Sequence, residues 1–392
     1  MTLASCPYCY ERINPRRLWF RCTGRKAPGR QPCQPEFDRA RKELTGIDEL
    51  VLPSFPGPSR VFQAVNSATH EPCGAVSGIK VCPHCHSRMP ATFGEGSSPL
   101  IAMAGAPHTG KSVYLRILAD QLRNGMGRRF GADVRLSGDN QFRNNVGGSD
   151  FLNPAGELFP GGQLYAKTQQ AAGGRREPIV FGWRRKRLAR YDTTFLSFFD
   201  TAGEDLSAQE TVDNLRYLGA ADALILLLDP FMIPQAREQI TLPKTAYAAG
   251  DSTIDVLNRV TDNLRESRHL GGRKNIPIPV AVVFAKIDAF FEVLGADHPL
   301  VRRPEPGPYY DEAAGRVTHE YVRSLLAEWG ADDVDYHLTH NYTRFRYFAV
   351  SALGAEPDYD NDVVDPRGVH PFRVDEPLLW LLSQFDVVPS RG

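Results

Sequence analysis

The stretch "PLIAMAGAPHTGKSVYLRILADQLR", Pro99 to Arg123, decides how the rest of the chain is read. Leu100 to Ala104 is a short apolar run suited to a buried strand. Gly105-Ala-Pro-His-Thr-Gly110-Lys111-Ser112 follows at once and fits G-x-x-x-x-G-K-[ST]. Leu115, Leu118 and Leu122 then recur at helical spacing. Strand, glycine loop and helix stand in the order that phosphate binding needs. Glycines let backbone N–H groups approach phosphate oxygens, and a helix N-terminus adds positive potential. Lys111 would reach the β- and γ-phosphates, and Ser112 would ligate Mg²⁺. Gly105, His108, Thr109, Gly110, Lys111, Ser112 and Val113 are the expected phosphate-side residues, with His108 filling a variable loop position. The bland reading is a glycine-rich turn with no ligand, and the flanking strand and helix weigh against it. The loop alone does not separate ATP from GTP.

Downstream, "TTFLSFFDTAGEDL" is an aromatic and β-branched strand ending in Asp200-Thr-Ala-Gly203-Glu204. This is a D-x-x-G motif. Asp200 would hold Mg²⁺, usually through water, and the N–H of Gly203 would bond a γ-phosphate. Glu204 stands where a water-orienting glutamine is common; an ionised glutamate accepts but does not donate, so slow hydrolysis is expected. The long glycine-rich stretch between Lys111 and Asp200 should contain a Mg²⁺-binding threonine. Thr168 is the candidate, with Thr193 and Thr194 as rivals that look like strand positions.

Two more apolar runs, Leu224 to Leu228 and Val280 to Phe284, suit strands buried on both faces of a parallel sheet. The second runs into "AKID", Ala285 to Asp288, and a later strand within 346–354 ends in Ser351-Ala352-Leu353. "AKID" differs from the guanine-reading Asn-Lys-x-Asp or Thr-Lys-x-Asp only at Ala285. Asp288 would accept from guanine N1–H and N2–H₂, contacts adenine cannot offer. Lys286 would lie along the base and touch the phosphate loop, and the N–H of Ala352 would meet guanine O6. Ala285 removes a bracing side chain and leaves the base reader in place. One lost hydrogen bond costs about 0.5–1.5 kcal/mol, a threefold to tenfold loss of affinity. The alternative is an ATP-using protein in which "AKID" is incidental. The helical pattern from Asp311 to Trp329 helps complete an α/β fold, a doubly wound sheet with helices on both faces and ligands at the carboxyl ends of its strands.

All seven cysteines lie between Cys6 and Cys85. "CPYC" at 6–9, "HEPC" at 70–73 and "CPHC" at 82–85 are tight turns that present paired ligands, and zinc wants four. With His70 there are eight ligands for two Zn²⁺. The expected sorting is Cys6, Cys9, Cys22, Cys33 for one ion and His70, Cys73, Cys82, Cys85 for the other. The main rival puts both Cys-Pro-x-Cys pairs on one zinc. A thioredoxin-like redox reading lacks its βαβ context. His84 and His86 are expected at the surface. Pro-rich Leu50 to Arg60 reads as a connector, and "FGEGSSP" at 93–99 as a second. The expected division is a small zinc-binding module over 1–92, with a linker about 45–65, followed by a P-loop domain over 98–392.

Lys plus Arg and Asp plus Glu number 46 each, so net charge gives no hint of nucleic acid. The basic run Arg184 to Arg187 reads as a solvated hairpin tip. No apolar stretch is long enough for a membrane helix, and the N-terminus lacks a signal-peptide layout. A cytoplasmic protein with reduced thiols is expected. The zinc module should dock a protein partner, with nucleic acid less favoured.

The ordered set GAPHTGKS, DTAGE, AKID and SAL resembles the TRAFAC-class P-loop GTPases, from Pro99 to the C-terminus. The cysteine-rich leader, the long first-switch region and the ending "RVDEPLLWLLSQF" look like the bacterial double-GTPase families associated with conflict or defence gene clusters. The resemblance implies GTP/GDP and Mg²⁺ as cofactors and GTP hydrolysis. It also implies a signalling switch that works with a second GTPase and effector proteins. A non-hydrolysing nucleotide-binding adaptor is the competing class, and measured turnover separates the two.

Overall fold

The computed structural model describes residues 4–58, 65–94, 96–106, 108–138, 159, 162–164, 178–187, 190–200, 216–241, 252–272 and 274–392. They fall into two compact units. One is drawn from Met1–Leu100, Asp133–Asp150 and Ala171–Phe199, the other from Ile101–Ala132, Phe151–Gln170 and Asp200–Gly392. Strands that follow the glycine loop in sequence fall in the same unit as the cysteine region.

Seven strands make one sheet. They are β1 (Leu100–Gly105), β2 (Ala132–Leu136), β3 (Ile179–Arg187), β4 (Arg190–Asp200), β5 (Ala223–Leu228), β6 (Val280–Phe284) and β7 (Phe345–Ala349). Their order is β2-β3-β4-β1-β5-β6-β7. β1, β5, β6 and β7 run parallel, and β3 and β4 form an antiparallel hairpin. Every residue of β5 and β6 is buried, as the two continuous apolar runs require. Thr193 and Thr194 lie within β4, so they are strand residues as read from the sequence. At the hairpin end, Arg184 and Lys186 are exposed, and the Arg184 guanidinium lies 4.3 Å from the Tyr191 ring.

The helices that position the strand ends are α1 (Lys111–Gln121), α2 (Thr253–Ser267), α3 (Glu312–Glu328), α4 (Asp332–Asn341) and α5 (Glu376–Gln384). Leu115, Leu118 and Leu122 are buried, which confirms the helical spacing after the glycine loop. Ser252 and Asp255 form a capping box that starts α2, and Asp311 caps α3 by accepting from the Ala314 N–H at 2.9 Å. The Tyr217 hydroxyl donates to the Ile101 carbonyl and accepts from the Met103 N–H, each at 3.0 Å, and so pins β1.

In the first unit, three short hairpins each carry one Pro-x-Cys or Glu-Pro-Cys turn. Ala4–Ser5 pairs with Arg12–Ile13 around Cys6 and Cys9, and Ala68–Thr69 pairs with Val76–Ser77 around His70 and Cys73. Val81 bridges Arg88 around Cys82 and Cys85. The expected connector at Leu50 to Arg60 is corrected over its described residues. Leu50–Val51 pairs with Glu36–Phe37, and Ser54–Pro56 pairs with Trp19–Arg21. The prolines are tolerated because these are two- and three-residue strands at or near an edge, where few ladder donors are required.

Candidate functional site

The parallel register aligns four strand ends. Gly105 stands beside Leu227, Leu228 beside Phe284, and Phe284 beside Ala349. The residues just beyond them are the phosphate loop, Asp229, "AKID" and "SAL". Chemistry spread over about 250 positions is thus gathered at one edge, the carboxyl edge where ligands bind in open α/β sheets.

At the phosphate loop, a Cβ on Gly105 would come within 2.5 Å of the Leu227 carbonyl oxygen, so only glycine lets the strands approach. Gly110 has φ +82° and opens α1. The Thr109 hydroxyl donates to the Ala106 carbonyl at 2.9 Å. Lys111 Nζ donates to the Gly105 carbonyl at 2.9 Å and to the Ala106 carbonyl at 2.6 Å. The ammonium is therefore held in the loop by neutral acceptors, and a phosphate oxygen would be a stronger acceptor for it. Ser112 and Val113 fall in the first turn of α1, and His108 has a left-handed backbone with φ 61°. Asp200 is the last residue of β4. Gly203, Glu204 and Thr168 lie outside the described residues.

At the other end of the edge, Lys286 also has φ 56°. Its Nζ lies 2.5 Å from Asp229 Oδ2 and 4.8 Å from the centre of the Phe231 ring. Asp229 is 5% exposed, and its other oxygen accepts from the Phe231 N–H at 2.9 Å. In this structure Lys286 makes an ion pair across neighbouring strands in which the aspartate is buried and the lysine partly exposed. Asp288 is half-buried. Burial pushes its carboxyl above the ordinary aspartate range, while the Ser351 hydroxyl, its own backbone N–H and Lys286 pull the other way. Ser351 is buried, accepts from the Gly354 N–H at 2.7 Å, and exchanges backbone bonds of 3.0 and 2.8 Å with Phe372. The Leu353 carbonyl accepts from His370 N–H at 2.8 Å, so the turn that carries Ala352 is fixed on both sides.

Three residues here were not singled out by sequence reading. Asp229 had a signal, since "LLLDP" puts an acid at a strand end. Glu356 and Tyr359 had none. Both titrate higher than usual, through burial first and the Asp288 charge next, which places them around the same carboxylate.

The cysteines make a second candidate site. The ligand atoms of Cys6, Cys9, Cys82 and Cys85 form one group, and those of Cys22, Cys33, His70 and Cys73 form another; within each, all lie within 4.8 Å. This corrects the expected sorting: the two Cys-Pro-x-Cys turns share a centre. Chain proximity suggested otherwise, but Trp19–Arg21 pairs with both Ser54–Pro56 and Lys80–Val81 and folds the far turn back onto the first. The sulfurs of Cys6 and Cys85, and of Cys9 and Cys82, are 3.8 Å apart, and those of Cys22 and Cys73 are 3.6 Å apart. Four ligands about 2.3 Å from a zinc sit roughly 3.8 Å from one another at tetrahedral angles. A disulfide would instead need a separation of about 2.05 Å. The backbone N–H groups of His84 and Gly24 point at the sulfurs of Cys82 and Cys22, each at 3.4 Å, as second-sphere donors do for thiolates. Both donor sets fit zinc.

The two centres differ in surroundings. Cys6, Cys9, Cys82 and Cys85 are all 4% exposed or less, whereas Cys33 in the other set is half-buried. In that outer set, burial, then Cys73 and Cys22, push Cys33 up to about 12. Burial also raises Cys73, but the Ala75 N–H, His70 and its cysteine neighbours more than offset it and bring it down to about 7. His84 is exposed as expected. His86 is not: its ring stacks on Trp19 at 5.2 Å, and its Nδ1 meets Asp38 at 2.9 Å.

No family model matches the chain. A Mycolicibacterium smegmatis protein, provisionally named ESX-1 scaffolding and assembly protein SaeC, is 27% identical over 423 aligned positions, covering 98% of this chain and 100% of that protein. Among solved structures, the Saccharomyces cerevisiae Ski7 GTPase-like domain, bound to GDP and inorganic phosphate, is 13% identical. Its TM-score is 0.33, covering 74% of this chain and 50% of that one. A chain of the signal recognition particle receptor complex SRb-GTP/SRX from Chaetomium thermophilum is 12% identical, with a TM-score of 0.29 over 67% of this chain and 94% of that one. Structural likeness at this level does not bear on function. Among the described residues, no helix is long and apolar enough to cross a membrane.

Proposed function

We propose that the chain is a GTP-binding and GTP-hydrolysing switch that carries two structural zinc ions and works through protein partners. The single observation that supports this most is the alignment at one sheet edge of the Lys111 loop, the Asp229–Lys286 pair and the Asp288–Ser351 pair. The loop offers backbone N–H groups, an ammonium and a helix N-terminus to phosphates. The far end offers a carboxylate that matches the two N–H donors of guanine and rejects adenine, since buried polar groups left unpaired are costly.

Ser112 and Asp200 are the proposed Mg²⁺-side residues, with Thr168 from the first switch, Gly203 at the γ-phosphate and Glu204 beside the attacking water. A glutamate there supports slow intrinsic turnover. The eight sulfur and imidazole ligands would hold two zincs, whose chemistry is structural because each donor set is complete at four. The name of the M. smegmatis relative, a scaffolding and assembly protein, supports protein partners over nucleic acid. A second GTPase as partner, a conflict-system setting and a cytoplasmic location remain implications of the resemblance and the sequence.

The test is competition. A fluorescent GDP analogue bound with Mg²⁺ should be displaced by GTP and not by ATP, and Asp288→Ala should abolish that preference. Equal displacement by ATP would refute the guanine reading. Single-turnover assays with GTP then separate a hydrolase from a non-hydrolysing adaptor.

A further inference from the structure

We propose that the four-sulfur centre of Cys6, Cys9, Cys82 and Cys85 is a brace for β4, so that a zinc held there fixes the strand that ends in Asp200. The proposal rests on reading Asp200 as the Mg²⁺-side residue of the nucleotide site.

The sulfurs share one hydrophobic cluster with Val180 of β3 and Phe195 of β4. Val180 pairs with Ser197 and Gly182 with Phe195, so Val180 and Phe195 project from the same face of the hairpin. Phe93, just past the last cysteine turn, packs against Phe195 with ring centres 6.1 Å apart. The connector that follows is stitched to β4. The Phe195 N–H donates to the Ser97 carbonyl at 3.1 Å, and the Ser97 and Thr194 hydroxyls lie 3.1 Å apart. A Cβ on Gly96 would come within 2.3 Å of the Thr193 carbonyl oxygen. Tyr8, inside the first cysteine turn, presses its hydroxyl on Gly138, where an added Cβ would be 2.2 Å away. The neighbouring Ser137 N–H donates to the Val180 carbonyl at 2.9 Å. Cysteine turns, connector and hairpin are therefore one packed body.

Asp200 lies five residues beyond Phe195 on the same strand, roughly 16 Å at the rise of extended chain. The outer centre is built differently. Its cluster comprises Phe20, Cys22, Phe55, Cys73 and small neighbours, and it includes no residue of β3 or β4 among those described. A module used only for docking would not need the inner arrangement. Loss of the inner metal should loosen β4, and loss of the outer one should not.

The experiment uses the full chain with both zincs. A zinc chelator is titrated with Mg²⁺ in excess. Zinc content, affinity for a fluorescent GDP analogue with and without Mg²⁺, and amide exchange over residues 190–200 are followed together. The first zinc released should come from the outer centre and change neither nucleotide affinity nor exchange. Release of the second should lower the Mg²⁺-dependent affinity roughly tenfold, the scale of one charge-assisted contact, and speed exchange in β4. The Mg²⁺-independent affinity should persist. Phe195→Ala should keep both zincs yet reproduce the second-stage result, and Phe195→Leu should restore the wild-type behaviour. Zinc-free protein with unchanged exchange and Mg²⁺ dependence would overturn the brace, as would wild-type behaviour of Phe195→Ala. Equal loss of affinity with and without Mg²⁺ would mean general unfolding, and would also overturn it. If the wild type binds no guanine nucleotide, the proposed switch fails, and the exchange data alone still decide whether zinc holds β4.

Discussion

The cysteine region and the sheet edge at Asp288 are built differently. Around Cys6, Cys9, Cys82 and Cys85, apolar side chains close over four sulfurs at tetrahedral spacing, and backbone hydrogen bonds in each turn are matched. That region would gain stability from its site with a metal bound. At the edge, Asp288 is desolvated and its carboxyl lifted; a positive φ marks both regions, at Lys286 here and at Tyr10 and His86 in the cysteine turns. The ionised Asp288 carboxylate weighs against folding at neutral pH. The contrast teaches where to look for ligand chemistry: a complete donor set points to a structural ion, whereas a lifted carboxylate at a strand end points to a ligand that pairs with it.

The largest expected effect is on the cysteine side. Cys82→Ser should release one zinc per chain and destabilise the first unit by several kcal/mol, on the order of the binding energy that a structural zinc lends to folding. Metal analysis with chemical denaturation measures it. An unchanged denaturation midpoint would show that the centre adds nothing to the fold and would break the comparison at its first limb.

Next is Asp288→Asn. Guanine affinity should fall on the order of a hundredfold or more, because the amide sets a donor against guanine donors. Stability without nucleotide should be unchanged or higher at neutral pH. A folded-state carboxyl titrating above its unfolded value binds its proton more tightly in the folded state. It therefore favours folding at low pH and opposes it once pH rises past the folded value. The same sign governs binding in the wild type. On the proposed reading the ionised carboxylate pairs with guanine, so GDP affinity should hold at neutral pH. It should decline on acidification, starting above the ordinary aspartate range, and Asp288→Asn should lack that decline. A marked loss of stability in this variant would place Asp288 among the structural residues.

Asp229→Asn should cost less, roughly tenfold in affinity with a modest loss of stability. It leaves the Lys286 ammonium facing a neutral partner in a pair whose other member is buried. Wild-type affinity in this variant would mean that the pair serves β5 and β6 and not the site.

Much of this was legible in the sequence, for particular reasons. β5 and β6 announced themselves because strands buried on both faces need unbroken apolar runs. The loop at 105–112 was legible because its glycines answer to backbone geometry, as Gly105 against the Leu227 carbonyl shows. The Asp229–Lys286 pair was not, because 57 positions separate its members and only the β5–β6 register joins them. The metal sorting failed likewise. A Cys-Pro-x-Cys turn declares two ligands and says nothing of which other turn faces it; that follows from the pairing of Trp19–Arg21 with its two neighbours. The prolines of 50–60 hid short strands for a related reason, since edge positions excuse the missing donor. The readings at Thr168, Gly203 and Glu204 fall outside the described residues, and their roles rest on the sequence.

The smallest effect tests the one departure from pattern, Ala285. Its N–H donates to the Leu228 carbonyl at 3.0 Å and its side chain is buried, so position 285 is fixed by the β5–β6 ladder whatever the residue. On the proposed reading, Asp288 and Ser351 act without it. Ala285→Thr should therefore raise GDP affinity no more than about tenfold, the worth of one added hydrogen bond, and leave the preference for GTP over ATP as it was. A rise of several orders of magnitude would mean that the natural chain is a crippled guanine binder. The edge would then belong to some other ligand. A small rise with selectivity intact would mean that the alanine tunes nucleotide release, and that the identity of the base is read entirely by the Asp288 end of the sheet.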